Sequence, residues 1–142
     1  MKLVDLNLLL YAVNEDAPLH AGARRWWEAA LAGEEQVGLA WMVLLGFLRL
    51  CTRPVVLPHP LTVDQALALI DEWIERPSCV IAHPGDRHWT ILKELLRDTG
   101  IAANLTSDAH LAALAIEHEA TLFSTDGDFA RFSGLRYRNP LA

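Results

Sequence analysis

The sequence predicts an α/β fold with a central, mostly parallel sheet of four to five strands between layers of helices. Three observations carry that expectation. Short apolar runs of strand length recur at 2–5, 36–40, 79–82 and 122–124. Longer stretches with helical periodicity separate them. No repeat, low-complexity tract or linker divides the 142 residues, so one domain spanning 1–142 is expected.

Taken in order, Lys2 to Asp5 reads as a strand and Leu6 to Val13 as the helix that follows at once. From about Ala17 to Ala32 the apolar residues Leu19, Ala23, Trp26, Trp27, Ala30 and Leu31 form a helical stripe, and Gly33 is a stop signal. Gln36 to Ala40 is the second strand. Trp41 to Thr52 is a strongly apolar helix, closed where Arg53 meets Pro54. After a loop with three prolines, Thr62 caps a helix from Val63 to Glu75, and Asp64 suits its positive N-terminal end. Cys79 to Ala82 is the third strand and Asp86 to Thr99 the next helix, ended by Gly100. Asn104 to His118 is apolar almost all round, which predicts a buried helix. Leu122 to Ser124 is the fourth strand, and Leu135 to Tyr137 a short edge strand.

Composition narrows the function. With 52% hydrophobic and 21% charged residues, the chain is globular and not disordered. No apolar run reaches the ~18 residues needed to span a bilayer, and the N-terminus lacks a small-residue cleavage site. Only two cysteines occur, Cys51 and Cys79, without zinc spacing; two buried thiols in a reducing cytoplasm are expected. A net charge of −6 argues against a generic nucleic-acid binder but allows a cationic patch around an acidic site.

In such folds ligands bind beyond the carboxyl ends of the strands. Asp5 ends the first strand, and Asp126 and Asp128 follow the fourth. Asp108 lies in the first turns of the buried helix, where a carboxylate is costly unless paired or bound to metal. Asn104, four residues earlier, would project from the same helical face. Within Thr121 to Phe129, Gly127 would let the chain turn tightly so that Asp128 reaches back. Clustered aspartates repel one another without a cation. All-oxygen donors suit Mg2+ or Mn2+, which points to metal-assisted hydrolysis of a phosphodiester by in-line attack. Each residue also has a plainer role open to it. Asp126-Gly127 is a turn signal, Asp5 a helix cap, Asp108 a first-turn acid, Asn104 an N-cap and Asp128 a solvated acid. His110, two positions from Asp108, is expected to be structural. Arg49 and Arg53 share a helical face with Gly46 and could hold phosphates or simply end a solvated helix. Arg131, with Arg136 and Arg138, forms a second small cationic group. One of Trp26 and Trp27 could serve an interface.

Four segments in order resemble PIN-domain ribonucleases, and more closely the VapC-type toxins of bacterial toxin–antitoxin pairs. They are LVDLNLLLYAV, VLLGFLRLCTRP, NLTSDAHLAALAIEHEATLFSTDGDFARF and LRYRNPL, together spanning nearly the whole chain. The resemblance implies a PIN-like α/β/α sandwich that binds Mg2+ or Mn2+ and cleaves RNA internally. It also implies a cognate antitoxin partner and a homodimer. On it, Asp5, Asp108 and Asp126 take the catalytic aspartate positions, Asp128 is an accessory acid, and Asn7, Asn104 and Thr125 are supporting polar residues. One departure stands out. The family usually has a glutamate where this chain has Gly46, so the alternative is a weakened PIN fold that binds RNA or an antitoxin without cutting. A phosphatase with a nucleophilic aspartate is disfavoured, because Asp5-Leu6-Asn7 offers no second acid or neighbouring lysine.

Overall fold

A computed structural model of the chain describes residues 1–142. Strands β1 (Lys2–Val4), β2 (Val37–Leu39), β3 (Cys79–Ile81), β4 (Thr121–Phe123) and β5 (Arg136–Arg138) form one sheet in the order β3-β2-β1-β4-β5. Every neighbouring pair is parallel, with Leu3 opposite both Gly38 and Leu122, and Val4 opposite Phe123. Six α-helices flank it: α1 (Leu6–Val13), α2 (His20–Ala32), α3 (Trp41–Cys51), α4 (Val63–Glu75), α5 (His88–Thr99) and α6 (Thr106–Glu117). Parallel strands covered on both faces must be apolar on both faces. Leu3, Val4, Val37, Leu39 and Leu122 are accordingly all buried. Their cluster of 33 buried side chains is contiguous, so the chain has one core.

The sheet order fixes where a ligand can sit. From β1 the chain steps one way through β2 and β3, then crosses back and adds β4 and β5 on the other side. The winding therefore reverses between β1 and β4, and a crevice opens beyond their carboxyl ends.

Several expected boundaries move, each for a local reason. The expected start of α2 at Ala17 shifts to His20, because Asn14 folds the chain first: its carbonyl accepts from Ala17 N–H and its side chain from Asp16 N–H. The start of α5 shifts from Asp86 to His88, because Glu117 at the end of α6 accepts the N–H groups of Gly85 (2.7 Å) and Arg87 (3.0 Å). The buried helix begins at Thr106, not Asn104: Ala103, with φ at 44°, turns the chain, and residues Ala103–Leu105 form a separate 3-10 turn. The edge strand lies one residue later than expected, at Arg136–Arg138. Thr62 does cap α4, in a reciprocal pair with Gln65. Gly100 ends α5 in the left-handed conformation that glycine adopts without cost. Cys51 is buried as expected, whereas Cys79 is only half-buried. Trp27 is buried against Trp73, while half-buried Trp26 packs on Phe123.

His110 is structural, as its position predicts. Its Nδ1 lies 2.9 Å from His88 Nε2 and ties α6 to α5. His88 Nδ1 faces the Glu117 carboxylate at 3.9 Å. A proton on that nitrogen suits the carboxylate and leaves Nε2 to accept from His110 Nδ1–H. Burial holds both imidazoles below their usual pKa; Glu117 partly opposes this at His88. The unfolded chain then takes up protons from about pH 6.5 downward before the folded one does. Stability should therefore fall as pH drops from about 7.5 to about 5.5. Urea unfolding at the two pH values checks this. A variant carrying His88→Phe and His110→Leu should lose less across that window than the parent; an equal loss would assign the effect to other groups.

Candidate metal centre

Asp5 is the first residue past the central strand. Its N–H still donates to Phe123 O of β4 at 3.0 Å, so the parallel ladder carries it to the crevice edge. Extended backbone there lets it cap α1, and Oδ1 accepts from Leu6 N–H at 2.7 Å. Oδ2 accepts from Ser124 Oγ–H at 2.6 Å. Ser124 is fully buried, and its oxygen also accepts from Asn7 Nδ2 (3.2 Å) and from Asp126 N–H (3.0 Å). One donor and two lone pairs are all a hydroxyl has, so Ser124 is saturated. Thr125 N–H donates to Asn7 Oδ1 at 3.4 Å. One serine and one asparagine thus tie the end of β1 to the end of β4.

Asp126 opens the next turn. Its Oδ1 accepts from Asp128 N–H at 2.9 Å and caps the 3-10 helix Gly127–Arg131. The turn is made by this side chain and not by glycine freedom: Gly127 does not have positive φ, and a Cβ there would meet open space. That corrects the part expected of Gly127. Asp128 is exposed, and its Oδ1 lies 3.4 Å from Arg131 Nη2.

Asp108, in the first turn of α6, completes the acidic group. Burial raises its pKa, and the negative charges of Asp5, Asp126 and Asp128 raise it further, against a smaller lowering by Arg131. Burial raises Asp5 as well, and Asp126 adds to this, although the Ser124 and Leu6 hydrogen bonds pull the other way. Tyr137 on β5 is raised by burial and by Asp126 and Asp5. Residues from β1, β4, β5 and α6 thus share one electrostatic environment. It is short of positive charge, since Arg131 is the one cation acting on Asp108.

A hard divalent cation fits these donors. Carboxylate, hydroxyl and amide oxygens are its preferred ligands, and no thiol or imidazole acts on Asp5 or Asp108. No three His, Cys, Asp or Glu side chains are grouped closely enough to hold a metal ion by themselves. Magnesium keeps several waters and uses one or two carboxylates, so it does not require such a group.

Of the residues expected at this site, Asp5, Asp126 and Asp128 each act on Asp108 through their charge, and Asn7 and Thr125 are hydrogen-bonded within it. Asn104 caps no helix: it is exposed in the 3-10 turn, and the N-cap position falls to Leu105. Arg131 lies at the rim. Arg49 and Arg53 are exposed on α3 and the turn after it, and neither pairs with a site aspartate. Ser124 and Tyr137 were missed. A serine two residues before an aspartate is an Asx-like turn signal that could have exposed Ser124; Tyr137 carries no local signal, because only strand pairing brings it in.

Ser124→Ala should destabilise the fold by about 1–3 kcal/mol, since buried polar partners lose their hydrogen bonds. It should also weaken Mn2+ affinity about 10- to 100-fold, as loss of a group that orients a ligand does. Urea unfolding and Mn2+ titration measure the two effects, and unchanged values would show that the serine holds nothing in place.

The PIN domain family model matches residues 2–135. The chain is 46% identical over 142 residues to Ribonuclease VapC37 of Mycobacterium tuberculosis (strain ATCC 25618 / H37Rv), covering 100% of this chain and 99% of that protein. It is 42% identical over 141 residues to Ribonuclease VapC33 of the same strain, covering 99% of each. The fold is similar to that of VapBC2 from Rickettsia felis bound to a promoter DNA fragment (TM-score 0.69, 18% identity, 97% of each chain). It is also similar to Mycobacterium tuberculosis VapC20, a Sarcin-Ricin loop cleaving toxin (TM-score 0.67, 20% identity, 96% of this chain and 99% of that one). With the family model covering nearly all of its length and ribonucleases of the VapC type aligned end to end with it, the chain belongs to the PIN domain family, among the VapC ribonucleases.

Proposed function

We propose that the chain is a metal-dependent endoribonuclease toxin that hydrolyses RNA phosphodiester bonds and is held in check by a cognate antitoxin. The observation that carries this is the placement of Asp5 and Asp126 just past β1 and β4, tied together through Ser124, with the charges of both felt at Asp108 on α6. The ribonuclease names of VapC37 and VapC33 support the reaction class. An antitoxin partner is supported by the VapBC assemblies of like fold from Rickettsia felis and Haemophilus influenzae. A homodimer and a cytoplasmic setting remain expectations of the family resemblance; in the chain itself, no helix is long and apolar enough to cross a membrane.

Asp5, Asp108 and Asp126 would hold Mg2+ or Mn2+, with Asp128 as an accessory acid. When bound, the ion supplies Lewis acidity toward a phosphodiester oxygen and lowers the pKa of a water. The chain's own residues do the rest. Ser124 and Leu6 fix both oxygens of Asp5, so its carboxylate is oriented before any ligand arrives. Asn7 holds Thr125 and, through Ser124, the start of the Asp126 turn. Arg131 offers a guanidinium at the rim that can exchange Asp128 for an RNA phosphate. Arg49 on α3 and Arg53 just after it are exposed cations that would hold RNA phosphates at the edge of the site.

The non-cutting alternative is not favoured. It rested on the missing acid at position 46, whereas the aligned relatives are named ribonucleases.

Asp5→Asn and Asp108→Asn should each abolish Mn2+-dependent cleavage of total cellular RNA while leaving the protein folded. Each should also remove the rise in Tm that Mn2+ gives the parent, because the carboxylates that the ion neutralises are gone. Full cleavage by the doubly substituted protein would sink the proposal.

A further inference from the structure

The site that orients Asp5 extends to a helix that carries no ligand. Gly46 sits in the middle of α3, does not have positive φ, and so does not need to be glycine for its conformation. What a side chain there would meet is Leu6. A Cβ at position 46 would lie 2.8 Å from Leu6 Cδ2, with Leu6 Cδ1 and Cγ at 3.7 and 3.8 Å. The Leu6 side chain therefore rests directly on the bare backbone of α3. Leu6 is also the first residue of α1 and the residue whose N–H donates to Asp5 Oδ1 at 2.7 Å. One residue joins two contacts: its side chain is seated on α3, and its amide grips the central carboxylate.

We infer that the Leu6–Gly46 seat makes Leu6 a positioning residue for Asp5, fixing through α3 the direction in which that carboxylate faces the site. The inference rests on the proposed metal-dependent nuclease only for its functional consequence; the seat itself is a property of the metal-free protein. A side chain at 46 competes with Leu6 for one volume. Leu6 then either turns its Cδ2 aside or lifts from α3; on the inference it lifts, and the first turn of α1 moves with the amide that holds Asp5. The alanine substitution sets two effects against each other. Helix propensity alone favours alanine over a mid-helix glycine. The seat disfavours it, so the sign of the outcome separates the two.

The test is a double-substitution cycle of Gly46→Ala and Leu6→Ala. The first readout is the amide proton of residue 6 by NMR in metal-free protein. Gly46→Ala should move the Leu6 amide proton upfield, as its bond to Asp5 weakens. The second is Mn2+ affinity, which should fall about tenfold in Gly46→Ala, with kcat for RNA cleavage falling more than KM. In the double variant the Cβ of residue 46 takes the space that Leu6 leaves, and affinity should recover above that of Gly46→Ala alone. An unmoved Leu6 amide, with unchanged affinity in folded Gly46→Ala, would overturn the inference: Leu6 then merely rotates aside. A loss that Leu6→Ala does not relieve would overturn it too, since the effect would not pass through Leu6. Should Gly46→Ala fail to fold, Leu6→Ala carries the test. It should weaken Mn2+ binding where Leu6→Met does not, and equal binding by the two overturns the inference. Absence of Mn2+-dependent cleavage by the parent would speak against the proposed function, while the amide readout still decides the seat.

Discussion

The hydrogen bond of 2.6 Å from Ser124 Oγ to Asp5 Oδ2 joins residues 119 positions apart in the chain. It forms where the winding of the sheet reverses, between β1 and β4, and it is possible only because those strands are parallel neighbours in register. Everything at the site follows from it. Ser124 is buried, so its hydroxyl has no water to turn to and spends its full capacity on Asp5, Asn7 and Asp126. Asp126 then caps its own turn and sets Asp128 at the rim. The helix α6 brings in Asp108 from outside this bonded set. It is held there by core packing of Ala109, Leu111 and Ala112, not by attraction to the other acids.

The site is therefore under tension of a useful kind. Burial and mutual repulsion raise the pKa of Asp5 and Asp108, so the packed fold works against their charges at neutral pH. Folding groups that repel one another leaves a deficit that a cation can relieve, and the relief is binding energy for that cation. The acids stay charged-capable because hydrogen bonds to Asp5 offset part of the burial. This balance between desolvation, repulsion and hydrogen bonding separates the site from a surface acidic patch and is the ground for the proposed metal.

Much of this was legible in the sequence, and what was not has a common cause. Strand-length apolar runs separated by helical stretches gave the parallel sheet, and aspartates just past those runs gave the acids. Thr62 was readable as a cap because its partner Gln65 is three residues away. The start of the buried helix was misplaced at Asn104, because Ala103 in left-handed backbone and the 3-10 turn Ala103–Leu105 precede Thr106. Ser124 and Tyr137 matter through partners on other strands, and a single sequence carries no mark of those pairings. Gly46 shows the same limit from the other side. As a residue type it suggested a lost function, whereas beside Leu6 it is a place where two helices touch. The missing side chain is occupied space, and an acid introduced there would first have to displace Leu6.

Whether the oxygens at the carboxyl ends of β1 and β4, together with Asp108, hold a divalent cation can be read from anomalous X-ray diffraction of crystals grown with Mn2+. A manganese peak ligated by Asp5 and by at least one of Asp108 and Asp126, with water completing its shell, is expected. A protein that cleaves RNA with manganese bound elsewhere, or with none in the crevice, would contradict this.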